Sequence, residues 1–593
     1  MKQCEVKGEV FHREERAPWG QGREKREVRK MRRLRIFVGS VMSKANPGFF
    51  IVIGLALWTA VSGTSELFAI DDKTFQAAFI EQLGYGPAKY LGIEEHGMSA
   101  DEIDQAFSEH YHENGLQPFW VSADGPGKRA QAILEALKAS HSHGLKPENY
   151  HMDQIDEYWN SSDAAGLSRL DILLSLALRG YVGDMREGSI EPSKVDSKLF
   201  ASARTAAVDF RSLKEQVLAA KDMKAFLDAQ VPPFVQYHKL RRALKRYREI
   251  EKEGGWQAIP EGKVLKPGME DGRIRLMRQR LAVTGDLKSK DADSSRYDEA
   301  FEGGIKHFQS RHGLEPDGIV GQETVSAMNV PVDERIRQII INMERYRWID
   351  RQVGDRALAV NIAGFRVLGV RPAQGVFEID MPVVVGKQYH ETPVFSDMIR
   401  YIEFNPYWNL PTSIAKNEML PKLRKNPYYL KERNIRVFES WAPEAKELDS
   451  TTLDWKRLGR KDIARFKLRQ DPGPKNALGT VKFVFPNTYN VYLHDTPAHS
   501  LFQKTQRTFS HGCVRVSRPA ELASYVLGGE AKRWGIERIK EIIATGKRQV
   551  VPLEEPMPIY ILYRTVLVDP ESDTVHFRKD VYGRDALLAK ALF

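Results

Sequence analysis

The stretch YNVYLHDTPAHSLFQKTQRTFSHGCVRV, residues 489–516, holds the pattern that decides both the fold and the chemistry of this chain. It begins and ends in short runs of β-branched and aromatic residues, which favour strands, and a polar loop separates the two runs. His494 ends the first run, and Cys513 begins the second after a Ser-His-Gly turn. If the two runs form adjacent strands, they bring an imidazole and a thiol within reach of each other.

These residue types predict nucleophilic catalysis. A cysteine is a nucleophile when its thiolate is populated, which a neighbouring base or a group of backbone N–H donors achieves, and His494 is the candidate base. Gly512 leaves the turn unobstructed, so the N–H groups of Gly512 and Cys513 are candidates for an oxyanion hole, and His511 either shapes the turn or polarises an acyl group. Arg515 shares a face with Cys513 in an extended segment, where it binds a substrate carboxylate or forms an ordinary ion pair.

The cysteine count supports a reactive thiol. The chain has two cysteines, Cys4 and Cys513, and Cys4 precedes an apolar segment that predicts export. Cys513 is then the single thiol of the exported body, where a lone cysteine indicates reactivity. The alternatives are a buried cysteine that acts as a small hydrophobe, and a metal site of His494, His499, His511 and Cys513 for which no further ligand completes a tetrahedral set. The sequence therefore predicts neither a metal nor a cofactor.

The positive charge of the chain is concentrated at its N-terminus. Residues 1–44 hold 13 Lys and Arg against 6 Glu, a net charge of +7 out of +10, so residues 45–593 carry only +3 and predict no nucleic-acid-binding surface. An apolar run follows at 49–61, shorter than the roughly 20 residues of a membrane span. We interpret residues 1–70 as a basic leader with a signal peptide that ends near Ser62 or Ala69, or as an uncleaved inner-membrane anchor.

The length of 593 residues predicts several domains of about 150 residues each. Residues 74–250 have apolar residues at three- and four-residue intervals and predict a helical domain that ends near a double glycine. Residues 264–330 predict a compact unit of three short helices with a tight turn at Asp317-Gly318. A linker helix is predicted over 331–355.

From residue 356 to 593 the pattern changes to short β-branched and aromatic runs, which predict a β-rich domain. Residues 417–478 interrupt these runs with a charged, helix-prone insertion, which predicts a helical lid over the site. Trp408 lies just before the insertion, where it lines a substrate groove or packs in the core, and His390 and His499 are expected to be solvated loop residues. The predicted fold class is multidomain α+β.

Four segments of the β-rich domain resemble, in order, the L,D-transpeptidase catalytic domain of the YkuD type, which cross-links peptidoglycan with a cysteine. These segments are MPVVVGKQYHETPVF, IEFNPYWNLPTSIAKNEMLPKL, RQDPGPKNALGTVKFVFPNTYNVYLHDTP and SHGCVRVSRPAELASYVL. Residues 264–330, with DGIVGQET, resemble a small peptidoglycan-binding-like module that binds glycan or serves as a spacer. The segments QPFW, HGLKPENY and LRGYVGDMREGSIEP resemble the scaffold domain of the large YcbB-like subgroup.

The resemblance implies roles for individual residues. Cys513 matches the acylated nucleophile and His494 its base, while His511 and Gly512 match the loop around the acyl carbonyl. The residues expected to contact the substrate are Ser510, Arg515, Trp408 and Asn476. The implied reaction releases D-alanine from a peptidoglycan tetrapeptide stem as a thioester forms, and then transfers the acyl group to the side-chain amine of diaminopimelate in a neighbouring stem. The product is a 3→3 cross-link.

Other outcomes of the same chemistry stay open. Water or a lipoprotein lysine can replace the stem amine, which would make the protein an L,D-carboxypeptidase or an anchoring enzyme. A non-enzymatic scaffold that binds the cell wall is the alternative from a different class of function. The resemblance further implies inhibition by carbapenems and a periplasmic location in a Gram-negative bacterium.

Overall fold

Helices with one apolar face build the first part of the chain, as the three- and four-residue spacing predicts. The computed structural model describes residues 70–86, 100–199, 210–288, 292–372 and 374–593, and residues 71–593 form one compact unit. The predicted leader, its apolar run and Cys4 lie outside the described residues. None of the described helices has the length and apolar character that a membrane span requires.

The N-terminal helical domain is arranged around one long buried helix. Its elements are α1 (Asp72–Gly84), α2 (Ala100–Glu113), a hairpin of β1 (Val121–Ser122) and β2 (Gly125–Pro126), α3 (Lys128–Ala139), α4 (Met152–Tyr158), α5 (Ala164–Glu187), α6 (Pro192–Val195), α7 (Phe210–Ala219), α8 (Met223–Asp228) and α9 (Val235–Lys252). Asp163 caps α5 by accepting the Gly166 N–H at 2.8 Å. Asp171, buried on α5, accepts the Trp120 N–H at 2.7 Å and the Tyr111 hydroxyl at 2.8 Å, which fastens the hairpin and α2 to this helix.

The predicted three-helix unit is confirmed. It consists of α10 (Arg273–Thr284), α11 (Glu299–Arg311) and α12 (Gln322–Met328), and it has a hydrophobic core of its own that includes Met277, Leu281 and Phe308. Gly318 forms the predicted turn with φ of +75°, a conformation that glycine adopts without strain.

The predicted linker helix is a core element. This helix, α13 (Val332–Arg347), buries Ile336, Ile339 and Met343 in the same cluster that holds residues of α9 and of the β-rich domain. It packs along α9, and its Asn342 donates to the Thr565 hydroxyl at 2.8 Å. Helix α9 of the helical domain, α13 and the β-rich domain therefore share one hydrophobic cluster.

The β-rich domain is built on a nine-stranded sheet that curls back on itself. The strands of this part of the chain are β3 (Ala357–Asn361), β4 (Arg366–Arg371), β5 (Val376–Gly386), β6 (Phe395–Phe404), β7 (Trp408–Asn409), β8 (Ile435–Phe438), β9 (Glu447–Leu448), β10 (Lys467–Gln470), β11 (Val481–Val484), β12 (Leu493–His494), β13 (Thr508–Ser510), β14 (Val514–Val516), β15 (Gln549–Leu562), β16 (Val566–Val568) and β17 (Val575–Phe577). The order in the large sheet is β13-β5-β14-β12-β11-β6-β15-β3-β4, and β4 also pairs with β5, which closes the sheet.

Short helices complete this half of the chain. They are α14 (Thr412–Ile414), α15 (Leu420–Lys425), α16 (Arg460–Ile463), α17 (Pro519–Val526), α18 (Ile536–Ala544) and α19 (Arg584–Leu592), and a π-helical turn at Ala415–Met419 joins α14 to α15. The multidomain α+β fold class predicted from the sequence is confirmed by this arrangement.

The insertion at 417–478 is not the helical lid that the sequence predicts. It contains, with its flanking residues, a four-stranded sheet of order β7-β10-β8-β9 beside the short helices α14 to α16. A separate hydrophobic core that includes Leu423, Val437, Trp455 and Leu468 holds the sheet and helices together. The strands are at most four residues long and rich in charge, so their alternation is too brief to stand out from a helical pattern. We call this α/β insertion, residues 408–470, the lid.

Candidate active site

His494 and Cys513 lie on neighbouring strands. β12 pairs in parallel with β14, and the register sets His494 opposite Arg515. Cys513 comes directly before β14, and the Val514 N–H donates to the Tyr492 carbonyl at 3.1 Å, which extends the pairing to the thiol. Parallel pairing brings the two residues to one region of the sheet although a long loop separates them in sequence.

The His494 imidazole is buried and its tautomer is fixed. Its Nδ1 contacts the Asp495 carbonyl oxygen, which can only accept, so Nδ1 carries the proton and the Nε2 lone pair is free. Burial, aided by the positive charge of Arg515, lowers the pKa of His494 to about 3. The imidazole is therefore neutral at physiological pH and is able to accept a proton.

The Cys513 thiol is partly exposed and rests in its protonated form. Its Sγ donates to the Asn490 carbonyl oxygen at 3.7 Å. Burial raises the pKa of the thiol, while the N–H and hydroxyl of Tyr492 and the charges of Lys482 and Arg515 act in the opposite direction. In this conformation the thiol contacts the Asn490 carbonyl, and no hydrogen bond joins it to His494 in the part of the chain that the structure describes.

Hydrogen bonds within the Ser-His-Gly-Cys turn fix its shape. Ser510 Oγ donates to the Cys513 carbonyl at 2.5 Å and accepts the Gly512 N–H at 3.1 Å. Gly512 has φ of +113°, which strains any residue with a Cβ. From beneath, the buried Thr392 hydroxyl donates to the Gly512 carbonyl at 2.8 Å and accepts the Gly386 N–H at 3.0 Å.

These bonds change two expectations. The Gly512 N–H is engaged by Ser510 and is not available to an oxyanion, whereas no hydrogen bond to the Cys513 N–H occurs in the described part of the chain. An oxyanion hole in this conformation therefore rests on the Cys513 amide. Ser510 is buried with both hydrogen-bonding functions of its hydroxyl in use, so the expected substrate contact does not fit its position.

His511 connects the catalytic turn to the lid. Its Nε2 lies within hydrogen-bonding distance of a carboxylate oxygen of Glu418, which lies in the π-helical turn between α14 and α15. Burial lowers the pKa of His511, and the charge and hydrogen bond of Glu418 oppose that shift. His390 is exposed, as expected. Its ring also contacts the site, because the centre of the ring lies 5.1 Å from that of the His511 ring.

Trp408 connects the hydrophobic core of the lid to Tyr492, which contacts Cys513. It packs against the hydrophobic cluster of the lid and sits on β7, opposite Gln470. Burial raises the pKa of the Tyr492 hydroxyl well above its ordinary value, the Cys513 sulfur adds to this shift, and the Trp408 side chain opposes it as a hydrogen-bond partner. Trp408 therefore packs against the lid core, one of the two roles that the sequence left open, and it also contacts Tyr492 beside the thiol.

Asn476 does not fit the substrate contact expected for it. The side chain is buried, and its amide nitrogen donates to the carbonyls of Pro406 and Asp471, both at 3.0 Å. Its amide oxygen accepts the Leu478 N–H at 2.8 Å. With its donors and acceptor engaged by the backbone, Asn476 joins the end of the lid to the segment that enters it.

Arg515 and Lys482 flank the imidazole with positive charge. The register of β11 with β12 sets Lys482 opposite His494, just as the register of β12 with β14 sets Arg515 opposite it. Arg515 has no hydrogen bond or ion pair among the described residues, and its Nε is buried. Burial lowers the pKa of Arg515, which the nearby Cys513 sulfur opposes.

Sequence reasoning missed four residues that the structure brings to the site: Tyr492, Lys482, Thr392 and Glu418. Two of these residues could have been recognised from their positions in the sequence. Tyr492 is two residues from His494 and so shares its face of the strand, and Lys482 is a charge within the apolar run VKFV. Thr392 and Glu418 could not, because their partners in the catalytic turn lie about 100 residues away.

No cluster of three or more His, Cys, Asp or Glu side chains suited to a metal ion occurs among the residues that the structure describes. The histidines and the cysteine proposed for such a site lie as described above, and His499 is exposed at the start of a short 3₁₀-helix, His499–Gln503.

Comparison with known families gives three matches along the chain. Residues 105–244 match the model of a family described as "Scaffold domain", and residues 270–328 match "Putative peptidoglycan binding domain". Residues 355–551, which contain the whole site, match "L,D-transpeptidase catalytic domain".

A curated relative has a corresponding description. The "Putative L,D-transpeptidase" of Haemophilus influenzae is 30% identical over 250 residues, which is 42% of this chain and 48% of that protein. The chain thus aligns with about half the length of the curated relative it matches.

Two solved structures were also compared. The L,D-transpeptidase from Mycobacterium smegmatis is 11% identical with a TM-score of 0.17, covering 35% of this chain and 58% of that one. The L,D-transpeptidase of Xylanimonas cellulosilytica is 16% identical with a TM-score of 0.17, covering 51% of this chain and 99% of that one. At these TM-scores neither superposition bears on the fold.

Proposed function

We propose that this chain, which has a YkuD-type L,D-transpeptidase catalytic domain together with a scaffold domain and a peptidoglycan-binding domain, forms 3→3 cross-links through a Cys513 thioester. Its architecture is consistent with the YcbB-like subgroup. The observation that carries the proposal is the neutral His494 imidazole, whose Nε2 lone pair can accept a proton, on the strand paired with β14, which starts directly after Cys513.

The first half-reaction acylates the enzyme. His494 Nε2 accepts the thiol proton as Cys513 Sγ attacks the carbonyl carbon that precedes the terminal D-alanine of a tetrapeptide stem. The carbonyl oxygen becomes an oxyanion opposite the Cys513 N–H. The C–N bond then breaks, His494 returns the proton to the departing amine of D-alanine, and the stem remains on sulfur as a thioester.

The second half-reaction transfers the stem. The side-chain amine of diaminopimelate in a neighbouring stem attacks the thioester carbonyl, and His494 accepts the proton that the amine loses. The C–S bond breaks, the sulfur leaves as a thiolate, and His494 returns the proton to it. An amide bond replaces the one that was broken, so the exchange needs no ATP and no cofactor.

Arg515 supports an anionic substrate. The Arg515 side chain is partly exposed and has a buried Nε without a hydrogen-bond partner, so its charge is available to an anionic group, and donor stems carry carboxylates near the scissile bond. We assign Arg515 to a donor carboxylate. Arg515 is in β14, two residues after Cys513, and this position suits a group close to the reacting carbonyl.

The remaining domains and the N-terminal segment suggest where and on what the enzyme acts. The peptidoglycan-binding domain at 270–328 supports peptidoglycan as the partner, with the module acting as a glycan-binding unit or a spacer. The basic leader and apolar run of residues 1–70 support export to the periplasm, by signal cleavage or with an inner-membrane anchor. A thiol nucleophile of this kind is also expected to be acylated by carbapenems.

The test incubates the exported part of the chain with a disaccharide tetrapeptide and identifies products by mass. The expected product is a cross-linked dimer with loss of one D-alanine, and it should be absent with Cys513→Ala. A free tripeptide stem, formed when water releases D-alanine from the tetrapeptide, would indicate a carboxypeptidase. Unchanged substrate together with no mass gain from a carbapenem would indicate a non-enzymatic scaffold. Cross-linking by Cys513→Ala would refute the assignment of the nucleophile.

A further inference from the structure

A row of polar side chains crosses the sheet through the catalytic base. Strand register pairs Glu403 on β6 with Lys482 on β11, Lys482 with His494 on β12, and His494 with Arg515 on β14. Residues that are directly paired across strands point to the same face of a sheet. The base therefore stands between two cations, one on each neighbouring strand.

The Lys482 ammonium is aimed at the site and is only partly neutralised. Its Nζ lies 4.4 Å from the centre of the Tyr492 ring and 3.6 Å from Glu403 Oε2, beyond hydrogen-bonding distance. The other oxygen of Glu403 accepts from Arg548, with Nε at 3.1 Å, so this carboxylate is shared between two cations. The Lys482 side chain is 21% exposed, which leaves its charge weakly screened.

Tyr492 connects this charge to the nucleophile. Its hydroxyl is a hydrogen-bond partner of Cys513, while Lys482 lies over its ring. A cation over an aromatic face is attracted to the ring electrons and makes the phenol a stronger donor. The ammonium thus acts on the sulfur both through space and through the hydroxyl that touches it.

We propose that Lys482 is a positioning residue that stabilises the Cys513 thiolate through Tyr492 and keeps His494 unprotonated between turnovers. This inference rests on the proposed role of Cys513 as the nucleophile. Arg515 cannot do the same work during turnover, because a bound donor carboxylate neutralises it. Lys482 then remains as the cation beside the sulfur when the thiolate forms and again when it leaves the thioester.

Several charged and titratable groups around Lys482 contribute to the electrostatic potential at the site. They are Glu403 from β6, Arg548 behind Glu403, Tyr492 and His494 from β12, and Cys513 and Arg515 from the β14 side. Lys482 lowers the pKa values of both Cys513 and His494, whereas burial raises that of the thiol. Removing the Lys482 charge should therefore raise the pKa of the thiol.

The experiment measures thiol ionisation without any substrate. In the full chain with Cys4→Ser, Cys513 is the remaining thiol, and its alkylation by iodoacetamide is followed from pH 6 to 10 by intact mass. With Lys482→Met we expect the apparent pKa to rise by about 0.5 to 1 unit, which slows alkylation at pH 8 roughly 3- to 10-fold. Lys482→Arg should restore the profile of the parent protein.

The matched control is Lys467→Met. Lys467 is also a strand lysine with its ammonium over an aromatic ring, 5.9 Å from the centre of Phe438, but it lies in the lid sheet. Its alkylation profile should superimpose on that of the parent. Lys482→Gln repeats the test with a polar neutral side chain if Lys482→Met does not fold.

The outcomes separate this inference from the proposed function. A shifted profile in a protein that does not cross-link stems would retain the electrostatic role and refute the reaction. Unshifted profiles for Lys482→Met and Lys482→Gln, in folded proteins that cross-link stems at the parent rate, would overturn the role of Lys482 alone.

Discussion

Replacing Thr392 by Val tests how strongly the catalytic turn depends on support from beneath. Thr392 is fully buried, and its hydroxyl donates to the Gly512 carbonyl at 2.8 Å and accepts the Gly386 N–H at 3.0 Å. Valine has nearly the same shape and no hydroxyl. The substitution therefore removes both hydrogen bonds and leaves little change in packing.

The expected magnitude follows from the two backbone groups left unpaired. A buried donor or acceptor that loses its partner costs about 1–3 kcal/mol, so the two together destabilise this conformation of the turn by about 2–6 kcal/mol. If the turn relaxes away from the active geometry, a shift of about 2 kcal/mol lowers the competent fraction about 30-fold. Because Tyr582 also donates to the Gly386 carbonyl at 2.6 Å, the strand end itself should stay in place.

The assay is the second-order rate constant for acylation of Cys513 by a carbapenem, followed by intact mass. We expect Thr392→Val to lower it about 10- to 100-fold with a normal circular dichroism spectrum. Thr392→Ser, which keeps the hydroxyl and loses a methyl group, should stay within about threefold of the parent. A folded Thr392→Val protein that is acylated at the parent rate would show that the turn holds its shape without this side chain, and the reasoning would fail.

Two further predictions concern the base and the lid. Burial and Arg515 lower the pKa of His494 to about 3, so the folded state does not take up the proton that the unfolded chain binds below about pH 6.5. The free energy of unfolding should therefore decrease as pH falls from 6.5 toward 3. The rate of Cys513 alkylation should rise with pH without an inflection near pH 6. A plateau of high reactivity between pH 4 and 8 would instead indicate an imidazolium–thiolate pair. Glu418→Gln replaces the carboxylate that contacts the partly exposed His511 imidazole by a weaker, neutral acceptor. The contact between lid and turn should lose up to about 1 kcal/mol, and the lid should exchange its amide hydrogens up to about fivefold faster, measured by mass spectrometry. The control is Glu444→Gln on the exposed surface of the lid, and equal exchange in the two variants would contradict a contact between lid and turn.

The local pattern around Cys513 predicted much of what the fold displays. A strand ending in His494 and a strand starting after a Ser-His-Gly-Cys turn were readable because turn residues and β-branched runs act over a few positions. The strand pairing itself required only that the two runs be adjacent. The three-helix unit was readable for the same reason, since each of its helices has its own apolar period.

The misjudged residues depend on distant partners. Asn476 was expected to face a substrate, yet its hydrogen bonds reach back to Pro406 across the whole lid. Strands of the lid were missed because four residues give at most two alternations, which charged neighbours obscure. Thr392 is an ordinary threonine in sequence and becomes significant only when the turn at Gly512 folds onto it.

The burial of α13 limits how this protein can be divided. Its apolar side chains contact α9 on one side and the β-rich domain on the other, so the β-rich domain without α13 would lack part of its hydrophobic core. A fragment that starts at residue 356 would expose to water the apolar surface that α13 covers, and an exposed apolar surface of this kind promotes aggregation. Recombinant work, crystallisation and inhibitor screening should therefore keep this helix attached, and gene fusions that graft the transferase half alone onto another carrier should yield insoluble material.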